Sequence, residues 1–430
     1  MTDALAAPPP LHPTRIGLYA VGSLGTGLFS TIPTVLLLYY CTETLALPAA
    51  IASALVLLPK TWSIAWDPFV GAWSDNLRSP WGRRAPFLLI GATGVAAGFA
   101  ALFSAPPLSE PALIAWVGAS YFLLATLYSL YAVPYIALPA EIAHTNAARS
   151  SLVSWRMVAG MAGVFVGAAA APALVSAFGG GRAGYAMMSW VVALFCFAAM
   201  ATPLAVAPTD RATSAPRTRP SFWRGARDAL QARGFVFLAG AYFLMITSVG
   251  VLTASMPYLV ARALQRPESD ISVAMAALLG SAVVTPPLWT FLGKRFGEKR
   301  ALMSAIALFC IVTLAIGAAV AFHTPWTSLL FIFAAGGFAF AGLQVLPFAM
   351  LAHLAHNERR EHNRALEATF TGLWTASEKL GLAVGPALVG GALAIGGVGA
   401  VAALVAGAPP ALLGAAALCL VLQTHRHRQA

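Results

Sequence analysis

Asp67-Pro68-Phe69-Val70-Gly71-Ala72-Trp73-Ser74-Asp75-Asn76-Leu77-Arg78-Ser79-Pro80-Trp81-Gly82-Arg83-Arg84-Ala85-Pro86-Phe87 decides the fold. A carboxylate sits inside an apolar run, a short turn crowded with charge follows, and then the apolar character resumes. An acid at membrane depth is costly, so its presence implies an ion or solute pathway. A charged turn between two apolar runs is how consecutive membrane helices are joined on the cytoplasmic side. Together these features imply a transporter.

The rest of the chain agrees. It is 59% hydrophobic and only 10% charged, too few polar residues to cover the surface of a soluble domain. About twelve apolar runs, each long enough for one crossing of a ~30 Å hydrocarbon core, follow one another. The reading is an all-α membrane protein: twelve transmembrane helices in two pseudo-symmetric six-helix bundles. Its divisions are a cytoplasmic tail over 1–14, a first bundle over 15–207, a central loop over 208–233, a second bundle over 234–423 and a tail over 424–430. Most of the 26 Lys and Arg fall in even-numbered loops or at the termini. That bias places both termini in the cytoplasm of a multi-pass cell-membrane protein. The net charge of +11 therefore sets topology and does not point to nucleic acid.

Within the central loop the stretch from Thr209 to Pro220 reads as a flexible linker. From Ser221 onward, Phe222, Trp223, Ala226 and Leu230 alternate with Arg224, Arg227 and Asp228. This suits either a short interfacial helix on the anionic leaflet or a solvated basic linker. The segment Gly293-Lys294-Arg295-Phe296-Gly297-Glu298-Lys299-Arg300 loosely repeats the charged turn at the same place in the second half. Such repetition is expected where two bundles rock around a central site. Cys41, Cys196, Cys310 and Cys419 lie in or at the ends of apolar runs with no close spacing, so neither a disulfide framework nor a metal site is implied. His353 and His356 read as a solvated helix end. The N-terminal stretch lacks a basic segment before a short apolar core, so the first run is expected to remain as a helix. No phosphate-cradling loop and no nucleophile–base pair is present. An enzyme and an ATP-driven pump are both disfavoured, and no cofactor is expected.

The loop Asp75-Asn76-x-Arg78-Ser79-x-Trp81-Gly82-Arg83-Arg84-x-Pro86 resembles that of the glycoside–pentoside–hexuronide:cation symporters. This is the branch of the major facilitator superfamily that includes the melibiose permease. The likeness extends through Tyr128-Ser129-Leu130-Tyr131-Ala132-Val133-Pro134-Tyr135, Arg149-Ser150-Ser151-Leu152-Val153-Ser154-Trp155-Arg156 and Glu378-Lys379-Leu380-Gly381-Leu382-Ala383. The resemblance implies that Asp67 and Lys379 belong to the coupling site and that Arg156 faces a sugar. Lys60, seven residues before Asp67, shares its helix face, with Ser63 between them. The two charges are therefore expected to neutralise each other or to exchange a proton, and Glu378 adjoins Lys379. Tyr128, Tyr131, Trp155 and Trp374 are candidates to stack on the solute, with Gln344 as a further polar contact. Asp75, Arg83, Arg84, Glu141 and Arg149 form the expected cytoplasmic gate, with ion pairs that hold the outward-facing state and break as the bundles rock.

Where the family carries further acids this chain has Ser63, Ala132 and Gly27, with Thr26 beside the last. That leaves a sodium site short of negative oxygens and favours the proton as coupling ion. The expected function is symport of a small polar solute, a sugar or glycoside, by a monomer in contact with membrane lipid alone. Two alternatives are a carrier or exporter of a lipid-like solute, and a non-transporting membrane protein on the same fold.

Overall fold

The computed structural model describes residues 11–143, 145–208, 227, 229–322, 324–362 and 367–427. The described elements are helices. The first half comprises α1 (Pro13–Ile32), α2 (Ala49–Asn76), α3 (Ala85–Phe103), α4 (Glu110–Ala137), α5 (Asn146–Ala177) and α6 (Gly181–Ala201). Helix α1 runs on through π-helical turns at Pro33–Leu37 and Tyr40–Thr44. In the second half come α7 (Arg233–Tyr258) and α8 (Ser269–Val284, continued by Pro286–Phe296). Then follow α9 (Glu298–Ala321) and α10 (Trp326–His362). A last helical stretch spans Glu367–His427. The flexible linker read over Thr209–Pro220 and the start of the segment from Ser221, read as either an interfacial helix or a basic linker, lie outside the described residues.

Among the described residues ten helices are individually long and apolar enough to cross a membrane. Two departures from simple spans bring the crossings to the expected twelve. Helix α8 bends by 48° before Pro286, where proline supplies no N–H and its ring crowds the carbonyl four residues back. The final stretch holds 54 residues in apolar helix, about 80 Å at 1.5 Å per residue and more than twice a hydrocarbon core. It breaks at Gly396 and at Gly397, where φ is +62°, a backbone region that residues with a Cβ enter only with strain. The break separates α11 (367–395) from α12 (398–427).

The chain reverses there. Gly390 of α11 lies against Ser53 near the start of α2, whereas Gly317 of α9 lies against Ala406 of α12. Lys299 at the start of α9 donates to the Leu420 carbonyl at 2.8 Å. The two ends of the molecule are named here for residues they carry, the Glu43 end and the Asp75 end. Both α1 and α12 have their outer termini at the Asp75 end, as an even number of crossings requires.

Within the first half α1 packs on α5 and α6, α3 on α4 and α6, and α2 on α4. Within the second, α7 packs on α11, α8 and α9 on α10, and α9 on α12. The halves meet through α2 against α11 and α5 against α8. The tightest pairing within the first half depends on Gly27. A Cβ there would fall on the Gly160 carbonyl and on the backbone of Gly163. Small residues that let helix backbones touch are the main packing device inside a membrane, where water expulsion gives no drive. Gly27→Val is therefore expected to force α1 off α5, and size-exclusion chromatography of the purified variant should show loss of the monodisperse peak given by the parent protein.

Candidate functional site

Helix α1 carries a line of polar side chains on its inner face. Tyr19, Ser23, Thr26, Ser30 and Thr34 recur at intervals of three and four, the spacing of one helix stripe. Tyr19 donates to the Tyr135 carbonyl at 3.3 Å, and Ser23 pairs with the Tyr135 hydroxyl at 2.9 Å. Thr34 donates to the Ser30 carbonyl at 2.7 Å. Of these only Thr26 was singled out from the sequence, although the spacing of hydroxyls in an apolar helix was the signal. Gly27, which stands where the family carries an acid, has its Cα turned into α5.

Beside this stripe Tyr128 of α4 stacks on Phe29, with ring centroids 3.9 Å apart. The Tyr128 hydroxyl lies within electrostatic reach of Asp67, Arg156 and Glu378, so residues from α2, α4, α5 and α11 converge on one region. Arg156 also lies near the Tyr19 and Tyr135 hydroxyls, without a described bond to either. Its one described polar contact is the Met157 sulfur at 3.8 Å.

Asp67 and Lys379 form an ion pair that joins the two halves, from Asp67 Oδ2 on α2 to Lys379 Nζ on α11. The second carboxylate oxygen, Asp67 Oδ1, is buried and has no hydrogen-bond partner among the described residues. That is the condition of an acceptor able to receive a proton without breaking another bond. Lys60 does not pair with Asp67, contrary to the expectation from their shared helix face. Its ammonium donates to Thr34 Oγ1 at 2.7 Å and to the Leu382 carbonyl of α11 at 3.1 Å. Periodicity along α2 aligned the two residues correctly but carried no information about the competing partner on α11. Buried Ser63 turns back to donate to the Lys60 carbonyl at 2.8 Å.

Across from these residues, Tyr242 of α7 donates to Gln344 Oε1 of α10 at 2.7 Å. It also stacks on Trp374 with centroids 3.8 Å apart. Glu378 lies beside both Tyr242 and Gln344. The sequence pointed to Gln344, Trp374 and Glu378 but missed Tyr242, which holds them together. Trp374 is 3% exposed, so its ring serves Tyr242 and is not presented to a solute.

Two further expectations are corrected. Tyr131 is fully buried, its backbone against Gly91 of α3 and its ring stacked on Tyr135 at 5.2 Å. It belongs to the core of the first half and cannot stack on a solute. Trp155 is 57% exposed and joins none of the described ring or hydrogen-bond contacts of the site.

At the Asp75 end, Arg84 is buried and reaches three partners. Its Nη1 donates to Ser74 Oγ at 2.8 Å, its Nη2 to Asp75 Oδ1 at 2.6 Å and its Nε to Glu141 Oε1 at 2.7 Å. Arg83 adds a 2.8 Å bond to the same Glu141 oxygen. These ion pairs lie inside the first half, so they are not contacts between bundles of the kind the gate reading expected. Arg149 is exposed and takes part in none of the described ion pairs. In the second half the corresponding turn is tied in the corresponding way. Glu298 follows α8 and pairs with His353 of α10 at 3.1 Å, as Arg84 follows α2 and pairs with Glu141 just beyond the end of α4.

At the Glu43 end the halves are bonded to each other. Tyr39 donates to Glu268 Oε1 at 2.9 Å, Thr42 and Tyr258 hydroxyls lie 2.7 Å apart, and Arg262 Nε donates to Glu43 Oε2 at 2.8 Å.

This geometry matches known proteins along nearly the whole chain. Residues 18–419 match the family described as MFS/sugar transport protein. The inner membrane symporter YicJ of Escherichia coli strain K12 is 26% identical over 388 residues, covering 89% of this chain and 82% of that protein. The putative glycoside/cation symporter YagG of the same organism is 28% identical over 393 residues, covering 88% and 82%. Among solved structures the nucleoside transporter NupG superposes with a TM-score of 0.69 over 96% of this chain and 100% of that one, at 13% identity. That likeness speaks to the fold alone. The chain thus belongs to the MFS/sugar transport protein family, on the melibiose-permease-like branch of the major facilitator superfamily, and is a secondary membrane transporter and not an enzyme.

Proposed function

We propose that this transporter carries a sugar or glycoside across the cell membrane together with a proton, with both termini in the cytoplasm. The observation that carries the reading is the Asp67–Lys379 pair, which spans the two halves and leaves Asp67 Oδ1 buried and unbonded. Protonation of Asp67 removes the charge that Lys379 answers, so a proton taken up at this point loosens the contact between halves. A group whose ionisation and contact are linked in this way couples an ion to a rocking motion.

Glu378, beside Tyr242 and Gln344, sets the field around Lys379. Arg156, Tyr128 and the hydroxyl line of α1 supply donors and acceptors suited to a polyhydroxylated solute. The Asp75–Arg84–Glu141 network is assigned to the cytoplasmic gate as a fixed block of the first half, with Arg83 as its outer brace and Arg149 on the adjoining surface. Sodium is disfavoured because Ser63 and Ala132 stand where further carboxylates would be needed. The glycoside named for YagG supports the choice of solute class.

Proteoliposomes exposed to a panel of sugars and glycosides test this directly. One sugar should produce external alkalinisation that is indifferent to sodium and absent from Asp67→Asn. A sugar gradient dissipated with no proton movement would replace symport by facilitated diffusion. Silence across the panel would overturn the sugar assignment and favour an amphipathic solute.

A further inference from the structure

Leu382 lies four residues before Pro386 in α11. In an α-helix the carbonyl of residue 382 accepts from the N–H of residue 386, and proline has none. The Leu382 carbonyl is therefore deprived of its helical donor. Inside a membrane such a freed group must find a partner on a neighbouring helix or in water. Its partner here comes from the other half of the molecule, since Lys60 of α2 donates to it at 3.1 Å. The same ammonium is braced by Thr34 Oγ1 at 2.7 Å, whose own hydroxyl proton goes to the Ser30 carbonyl. No carboxylate among the described residues forms an ion pair with Lys60. Its charge is met by oxygens that belong to α1 on one side and to α11 on the other.

Helices α2 and α11 run antiparallel, and three side-chain contacts mark the course of their seam. Ser53 lies against Gly390, Lys60 bonds Leu382, and Asp67 pairs with Lys379. The outer contact is nearest the Glu43 end. Neutralising Asp67 releases the innermost contact and leaves the middle one untouched.

We propose that Lys60 is a latch, separate from the coupling pair, that holds α2 against α11 by capturing the carbonyl Pro386 sets free. The contact opens towards the Glu43 end only when this bond is given up. The inference rests on the family's two-half architecture and on neither the sugar nor the proton of the preceding section.

The test is cysteine accessibility in detergent, where neither sidedness nor solute matters. Cys41, Cys310 and Cys419 are replaced by alanine, Ser53→Cys is introduced as the reporter beneath the latch, and Cys196 is kept as an internal control. Cys196 is buried in the first half beside Gly25. Two variants attack the same bond from opposite sides. Lys60→Met removes the donor while keeping the length of the side chain. Pro386→Ala restores an N–H that competes for the Leu382 carbonyl.

Each variant should speed maleimide labelling of the reporter about tenfold, the scale set by losing a hydrogen bond to a charged group. The double variant should label no faster than the quicker single, because both changes remove one interaction. Unchanged labelling in Lys60→Met overturns the latch. So do additive effects, or an effect of Lys60→Met without one of Pro386→Ala. Labelling of Cys196 at a matching rate would mean general loosening and would also overturn it.

Discussion

Asp67→Asn should cut solute-linked proton movement at least about 100-fold, the usual scale for losing a group that handles the transferred proton. Exchange of labelled for unlabelled solute across the liposome should persist in the same variant, because exchange requires no net proton. This split separates coupling from binding. Lys379→Ala should impair both, because it leaves Asp67 without its cation. Stability gives a second, solute-free readout. Breaking a buried ion pair on one side typically costs 3–5 kcal/mol. Here the two side chains are 26% and 24% exposed, so the expected loss in either single variant is nearer ~2 kcal/mol. The double variant Asp67→Asn/Lys379→Met should recover part of that loss, since no uncompensated charge remains. A double variant less stable than both singles would show that the pair does not act as one unit.

The second large effect is expected at Arg84. Its side chain is 4% exposed and answers two carboxylates and a serine. Arg84→Ala strands Asp75 and Glu141 with less compensation, at about 3–5 kcal/mol. Among the described residues neighbouring Arg83 bonds only Glu141, and it is 31% exposed, so Arg83→Ala should cost about 1 kcal/mol or less. Thermal unfolding in detergent at low and high salt distinguishes them. The Arg84 deficit should be large at both ionic strengths, and the Arg83 deficit small and diminished by salt. Equal deficits would refute the division of labour drawn from their burial.

Much of this arrangement was legible in the residues. The charged turn after Asp67 announced membrane helices, and its echo at Gly293–Arg300 announced two halves. What remained hidden has physical causes. Helix α4 is apolar on nearly every side, so its sequence carries no phase. Tyr128 and Tyr131 read alike, yet the first stacks on Phe29 of α1 and the second sits over Gly91 of α3. The junction between α11 and α12 has no polar loop, so only the excess length of the run betrayed a reversal. Lys60 and Asp67 were correctly placed on one face, but the partner that separates them comes from a helix more than 300 residues away. The hydroxyl line of α1 could have been found from its spacing. Tyr242 could not, because a lone tyrosine in an apolar helix carries no sign of what it touches.

One consequence follows from the spacing along α2. Ser53, Lys60 and Asp67 are seven residues apart, about 10 Å for each interval. Two rigid halves that tilt about a pivot near the Asp75 end would peel such a seam, loading its attachments one after another. Sliding α2 along α11 would shear it, straining all three together. Peeling makes the equilibrium sensitive to every attachment, but the speed sensitive chiefly to whichever one gives way at the summit of the barrier. A transporter joined in this manner can hold its closed form firmly and still open quickly.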